Sequence, residues 1–436
     1  MLEELENQNR FDTERSVFPS LSTTLERLDE NLWKSYQKLA AHSSSIDYLQ
    51  RINDENKLLF LIDDTMEFLN QFDLDVFRAR ISLIKLTYLY YKNDSTYSKI
   101  KKRIEQRVGG VAEEVDKRVK GIYFLENSAT EIENIVQQVQ QHGQPKMRVK
   151  AILLQVYHLA LHNNVIVAKD LIKKTHIGEI ITLQHVDNQI LYNRAIAQIG
   201  MAFFRLGRIE QSHEVLVEIF QNPRFRELLA QSINRSHYEK TAEQEMEEKR
   251  RLLPAHMSIN LQTLESIHFI TSMLIEIPML SENQHSMSRQ VISRQWRRLI
   301  ELYDNKQAFV LAAEQSKDHI VFAARALNKS DWQGALKHIY SINAITRMPE
   351  FENGFLQATL DNAFKTAAMK SFIFRAAKQY KSFSFEHLSS FFELDKKLVK
   401  KVISKVILQN KIQASMDIQK DLLLLDSSGQ DVQELQ

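Results

Sequence analysis

Two histidines are the first residues whose spacing could do chemistry. His158 and His162 stand four apart, which places both on one helix face and suits a metal ion. Leu159, Ala160 and Leu161 lie between them, so the glutamate base of a helical HExxH protease is missing. Beside Tyr157, in a run rich in Leu and Ala, the pair reads as packing or surface histidine. No glycine-rich phosphate cradle of the P-loop or dinucleotide type occurs. There is no cysteine, which removes thiolate nucleophiles, thiolate metal sites and disulfides together. Asp and Glu are plentiful, but no local motif marks an acid–base pair. The expectation is a non-catalytic chain without metal or cofactor.

What remains is the chemistry of cations. The net charge of +2 produces no global field towards nucleic acid, so any RNA contact must be local. Three clusters could each neutralise several phosphates: Lys99, Lys101, Lys102, Arg103 and Arg107; Lys146, Arg148 and Lys150; and Arg294, Arg297 and Arg298. For each, the competing reading is a solvated helix face. A fourth set, Lys396, Lys397, Lys400 and Lys401, lies opposite the apolar residues Leu398, Val399, Val402, Ile403, Val406 and Ile407. Lysines neutralise phosphate without reading base edges, whereas base readout wants Arg, Asn or Gln at the front of such a helix.

These residues must be positioned by helices. With 10 Gly and 6 Pro in 436 residues, the chain lacks the turn-formers of a sandwich or barrel. Leu25, Leu28, Leu32, Tyr36 and Leu39 make one buried stripe, which predicts a helix from about 21 to 41. Further helices are expected at about 46–70 and 74–92. Three later segments share a hairpin pattern: a turn residue t, an apolar residue at t+2, a small residue at t+5 and an aliphatic residue at t+9. They are Asn163/Val165/Ala168/Ile172, Gly207/Ile209/Ser212/Leu216 and Ser330/Trp332/Ala335/Ile339. The small residue lets two helices approach, while its neighbours share the inward face. The first two turns lie 44 residues apart, a spacing typical of helical-pair repeats, which bind rather than catalyse.

From Ser384 the pattern changes. Ser384 is a candidate cap for a short helix with Phe385, Leu388 and Phe392 on its apolar face. A turn at Leu394 and Asp395, a second helix, and strand-like runs at Ile412–Met416 and Leu422–Leu425 complete a winged-helix order. The expected fold is mainly α: a right-handed helical-repeat array ending in a winged helix. The expected divisions are a loose N-terminus (1–20), an array (21–224), a charged helix or linker (225–255), further helices (256–380), the winged helix (381–426) and a tail (427–436). The N-terminus MLEELENQNRF is acidic and lacks signal-peptide order. The longest apolar run, Ile267–Leu280, is broken by Glu276 and Pro278, so a cytoplasmic chain without a membrane span is expected.

Several stretches resemble one known family. They are Tyr157-His158-Leu159-Ala160-Leu161-His162, Ile190-Leu191-Tyr192-Asn193-Arg194 with Gln198-Ile199-Gly200, and Glu227 to Gln231. Further along come Arg250-Arg251-Leu252-Leu253-Pro254 with His256, Ile259-Asn260-Leu261 and Leu264-Glu265, then Met273 to Pro278, Asp331-Trp332, and Phe392-Glu393-Leu394-Asp395. Helical repeats leading into a winged helix are similar to the PCI proteins, and these strings resemble one branch of them, the c-type subunits of the eukaryotic translation initiation factor three complex. The resemblance implies a structural subunit that scaffolds the complex through its PCI domain and supports pre-initiation complex assembly on the small ribosomal subunit. It implies a hetero-oligomer with other PCI subunits, especially the a and e subunits, with small-subunit proteins and rRNA, and with other initiation factors as further candidates. It also implies that winged helices pair edge to edge, which points to Ile412, Gln413, Ala414, Ser415 and Met416. The family carries a long N-terminal region before its array, and this chain starts near the array, so contacts through that arm are not carried over. Two alternatives stand beside this reading: a scaffold subunit of the proteasome lid or COP9 signalosome, and a winged-helix regulator whose residues 381–426 bind duplex nucleic acid selectively.

Overall fold

A computed structural model gives the architecture. It describes residues 21–39, 46–72, 74–95, 98–99, 102, 123, 127–232, 241–282, 293–305, 313–377, 379–409, 412, 414–417 and 420–425. The chain divides into two compact units, 1–202 with 224–259 and 203–223 with 260–436.

The first unit holds α1 (residues 21–38), α2 (Ile46–Leu69), α3 (Asp75–Leu89), α4 (Ser128–His142), α5 (Pro145–Leu161), α6 (Val165–Thr175) and most of α7 (Val186–Arg205). From α2 to α6, each helix packs on the next. The stripe expected on α1 is partly buried: Leu25 and Tyr36 are inside, while Leu28 is exposed. The unit's core is filled by Leu59, Ile62, Leu86 and Tyr88, then by Val139, Leu154, Val156 and Ala160. After them comes α9 (Ala242–Arg251), whose Thr241 and Gln244 form a reciprocal capping box.

The second unit is built around α10 (Leu261–Glu282), against which α8 (Ile209–Gln221), α12 (Ser316–Asn328) and α14 (Phe355–Ala376) pack. Its apolar run is explained by burial on several sides: Leu264, Ile267, Ile270 and Met273 are fully enclosed. Among the described residues, no helix is long and apolar enough to cross a membrane. α11 (Arg294–Asn305) and α13 (Trp332–Tyr340) complete the helical part.

The three hairpin turns share one backbone geometry. Asn163, Gly207 and Ser330 all adopt left-handed φ, at 64°, 73° and 65°. In each, the residue after the turn donates its N–H to the carbonyl five positions back: Asn164 to Leu159 (2.9 Å), Arg208 to Phe203 (2.9 Å) and Asp331 to Ala326 (3.0 Å). The turn residue itself bonds three back, so these are Schellman caps that satisfy the last carbonyls of the preceding helix. In all three the following helix begins at t+2, and the small residues Ala168, Ser212 and Ala335 are fully buried. Gly207 is the one turn where close approach also forbids a side chain. A Cβ there would lie 2.3 Å from Thr359 Cγ2 on α14.

The winged helix runs β1 (Ser382–Ser384), α15 (Phe385–Phe392), α16 (Lys396–Leu408), β2 (Ala414–Asp417) and β3 (Leu422–Leu425). β1 is too short to show in sequence pattern. Its pairing with β3 places Phe383 opposite Leu423 and gives an antiparallel sheet of order β1-β3-β2. Ser384 occupies the N-cap position of α15 but makes no side-chain cap bond. The Phe385 N–H instead donates to the Asp421 carbonyl at 3.0 Å. β2 starts at Ala414, leaving Ile412 in a bend ahead of it.

Candidate assembly and RNA-contact surfaces

The cationic clusters fare differently. Of the first, Lys99 and Lys102 are helical and exposed, while Lys101, Arg103 and Arg107 lie outside the described residues. In the second, Lys146 and Arg148 are on the first turns of α5, but Arg148 Nε donates to the Gly143 carbonyl (2.8 Å) and so helps cap α4. Lys150 is half-buried and lines a cavity in the first unit. Burial holds its ammonium below the ordinary lysine range, against the pull of Asp29 and Asp187. The third cluster is the most coherent. Trp296 and Leu299 anchor α11 inward, and Arg294, Arg297 and Arg298 point out, with Arg297 paired to Glu301 at 2.7 Å.

The lysine face of α16 is partly spoken for. Asp421, in the turn before β3, accepts from Lys396 and, at 2.6 Å, from Lys400. Those bonds hold its carboxyl below the usual carboxylate range. Lys400 also lies 5.4 Å from the Phe385 ring centroid. Lys397 and Lys401 are outside this arrangement, so α16 offers phosphate fewer unengaged cations than its sequence suggests. The candidate interface residues Ala414, Ser415 and Met416 lie in β2, an edge of the sheet to which no further strand is added among the described residues. Ile412 is half-buried, and Gln413 lies outside the described residues.

His158 and His162 do share a face, with ring centroids 4.2 Å apart. His158 is buried, 3.0 Å from Ser128 Oγ and 3.2 Å from the Tyr90 carbonyl, and burial pushes it down to about 4. His162 lies 3.5 Å from Asp94. No group of three or more His, Cys, Asp or Glu among the described residues is placed to hold a metal ion.

The groups that sequence reading missed are buried and held by distant partners. Glu55 sits in the first unit with Lys92 at 3.0 Å, Tyr91 Oη at 2.7 Å and His256 at 3.3 Å. Burial raises its pKa, but His256, Lys92 and Tyr91 outweigh that and hold it below the ordinary value. Arg194 is fully buried; it donates to the Met257 carbonyl (2.7 Å), and its guanidinium carbon lies 5.8 and 5.5 Å from the Tyr90 and Tyr157 rings. The Leu253 N–H bonds the Ala230 carbonyl, and Gln231 donates to the Ile259 carbonyl. Strings far apart in sequence, around Tyr157, Arg194, Gln231 and His256, therefore meet in one polar interior.

The model of the family described as "Eukaryotic translation initiation factor 3 subunit 8 N-terminus" matches residues 2–287, well over half of the chain. The chain belongs to this initiation-factor subunit family. A PCI domain model matches residues 354–426, which span α14 and the winged helix. Curated proteins named as the C subunits of eukaryotic translation initiation factor 3 are similar along nearly the whole chain. The one from Bombyx mori is 30% identical over 429 residues, covering 97% of this chain and 46% of its own. That from Neurospora crassa is 32% identical over 410 residues, covering 91% and 46%. The chain thus spans a little under half the length of these curated relatives. Membership in the initiation-factor family sets aside the lid and signalosome branches, which share the PCI architecture alone.

Proposed function

We propose that this chain is a structural core subunit of the eukaryotic translation initiation factor three complex, scaffolding it through the PCI domain and supporting pre-initiation complex assembly on the small ribosomal subunit. The observation that carries this is the placement of a winged helix with an open sheet edge, β2, inside the PCI-matched region of a chain whose preceding residues match the subunit family. An open edge accepts a partner strand by main-chain hydrogen bonding, the route by which one such module joins another. The a and e subunits of the complex are the proposed PCI partners. The α11 arginines and the exposed Lys99, Lys102 and Lys146 are the proposed contacts to rRNA and small-subunit proteins. The proposed working divisions are an array over 21–224, a charged segment over 225–255, PCI helices over 256–380 and the winged helix over 381–426. Mass spectrometry of the complex purified with the endogenous chain tests the reading. Initiation-factor subunits and small-subunit ribosomal proteins are expected, and ubiquitin-pathway subunits in their place would overturn it.

A further inference from the structure

In the second unit, α11 is fastened to α10 through Ser293, the residue just ahead of its first turn. Ser293 caps the helix: its Oγ accepts the Trp296 N–H at 3.3 Å and its carbonyl accepts the Arg297 N–H at 3.1 Å. The same residue reaches two side chains of α10. Its N–H donates to Glu276 Oε1 at 3.1 Å, and its Oγ lies 3.0 Å from His268 Nε2. Both α10 side chains are buried, and Glu276 Oε2 and His268 Nδ1 have no hydrogen-bond partner among the described residues.

A buried carboxylate held by one neutral donor is a poor place for a negative charge. The helices around α10 supply no counter-ion. On α8, Glu210 pairs with Lys405, and His213 is kept neutral by burial. On α11, Arg297 pairs with Glu301. On α12, Lys317 pairs with Glu265, Arg325 with Asp304, and Asp318 accepts from Tyr303. On α14, Lys365 pairs with Glu393. Neither these groups nor Arg294, Arg298 or Lys370 offsets the burial of Glu276; only the Ser293 N–H does. The folded carboxyl therefore keeps its proton up to about 8, against an ordinary 4.5.

The element able to yield is α11. Of its 12 residues, Trp296 and Leu299 are the ones buried, whereas α10 is enclosed on several sides. A segment with few buried apolar contacts opens before its surroundings do. Opening its first turn brings water to Glu276, which then ionises as an ordinary carboxylate.

We propose that α11 docks on α10 with the uptake of one proton at Glu276, so that its first turns loosen as pH rises through neutrality. Between pH 7 and about 8 the docked state holds one proton more than the open state, and docking weakens with pH until the docked carboxyl itself ionises. Across that window His213 and His268 are neutral when buried and largely neutral when exposed, so they add little to the slope. The helix carries Arg294, Arg297 and Arg298, so the device acts on the basic surface proposed above for rRNA, but the docking step does not depend on that reading.

Hydrogen–deuterium exchange on the full chain at pH 7.0, 7.5 and 8.0, corrected for the intrinsic amide rate, tests this. Protection of α11 is expected to fall about fivefold between pH 7.0 and 8.0, while that of α13 in the same unit does not. Glu276→Gln keeps an acceptor for Ser293 and cannot ionise, so its α11 protection should not change with pH. Ser293→Ala should lower α11 protection at every pH and keep the parent's slope. The parent's profile decides even if a variant fails to fold: unchanged α11 protection between pH 7.0 and 8.0, or a fall shared equally by α13, overturns the proposal. So does a Glu276→Gln protein whose α11 loses protection with pH as the parent's does.

Discussion

At the scale of single residues, the chain places ionisable groups where water cannot reach them. Glu276 on α10 is the sharpest case. One carboxyl oxygen accepts the Ser293 N–H at 3.1 Å and the other has no hydrogen-bond partner among the described residues, and burial pushes its pKa up to about 8. His213 and His268, in the same unit, are pushed down to about 4 and about 3 by burial. The folded state therefore keeps a proton on Glu276 between pH 4.5 and about 8 that the unfolded chain releases, so stability falls as pH rises through that window. The histidines act with the opposite sign: the unfolded chain takes up protons below pH 6.5, so stability falls as pH drops towards 4. Glu276→Gln is expected to stabilise the protein by on the order of 2–4 kcal/mol at pH 7.5 and to flatten the loss between pH 6 and 8. Denaturant melts at those two pH values measure it, and an unchanged slope would contradict the burial argument. In the first unit Glu55 behaves the other way. Its folded pKa is depressed, so its contribution is present above the ordinary carboxylate value and disappears as pH falls below it. None of these residues stands out in sequence, because what makes each unusual is a partner tens or hundreds of positions away. Glu276 was visible only as an interruption in an apolar run.

At the scale of elements, the hairpins were the most legible part. A small residue five positions past a turn is a local signal, and helix packing acts on it directly, so Ala168, Ser212 and Ala335 could be read in advance. The left-handed turn was less obvious, since Asn163 and Ser330 are not glycine. Ser330→Gly should stabilise by roughly 0.5–1 kcal/mol, because glycine carries no Cβ penalty at φ 65°. Gly207→Ala should destabilise by about 2 kcal/mol or more, since the new methyl meets both a left-handed backbone and Thr359. Melting the two variants beside the parent separates these effects, and equal shifts would deny any role to the α14 contact. In the winged helix, the apolar stripe of α16 was legible while the engagement of its lysines was not, because Asp421 reaches them from another element. For β2, adjacent N–H groups point to opposite sides of the strand. Of Ser415→Pro and Met416→Pro, the one that loses the outward N–H should stay folded yet lose partner subunits on co-purification. The other should disturb pairing with β3. If both fold and both retain partners, β2 is not the joining edge.

At the scale of the whole molecule, the mainly α architecture followed from scarce glycine and proline, and the terminal winged helix from a change of pattern at Ser384. What composition hid was which cations remain available. Lys150 faces a cavity, Arg148 caps a helix, and Lys396 and Lys400 serve a wing aspartate. The α11 arginines are the remaining compact set. Reversing Arg294, Arg297 and Arg298 to Glu should weaken small-subunit binding and reduce its logarithmic salt slope by about 2. An affinity and slope equal to the parent's would remove this helix from the interface. The terminal sheet carries a broader consequence. Its strand order puts β3 in the middle and leaves a rim on each side among the described residues, the second of them, β1, with the exposed Tyr380 ring 5.5 Å from that of its Phe383. A part with two joinable sides is a link rather than an end-piece. Kept apart from its neighbours at high concentration, it should begin to string together with copies of itself.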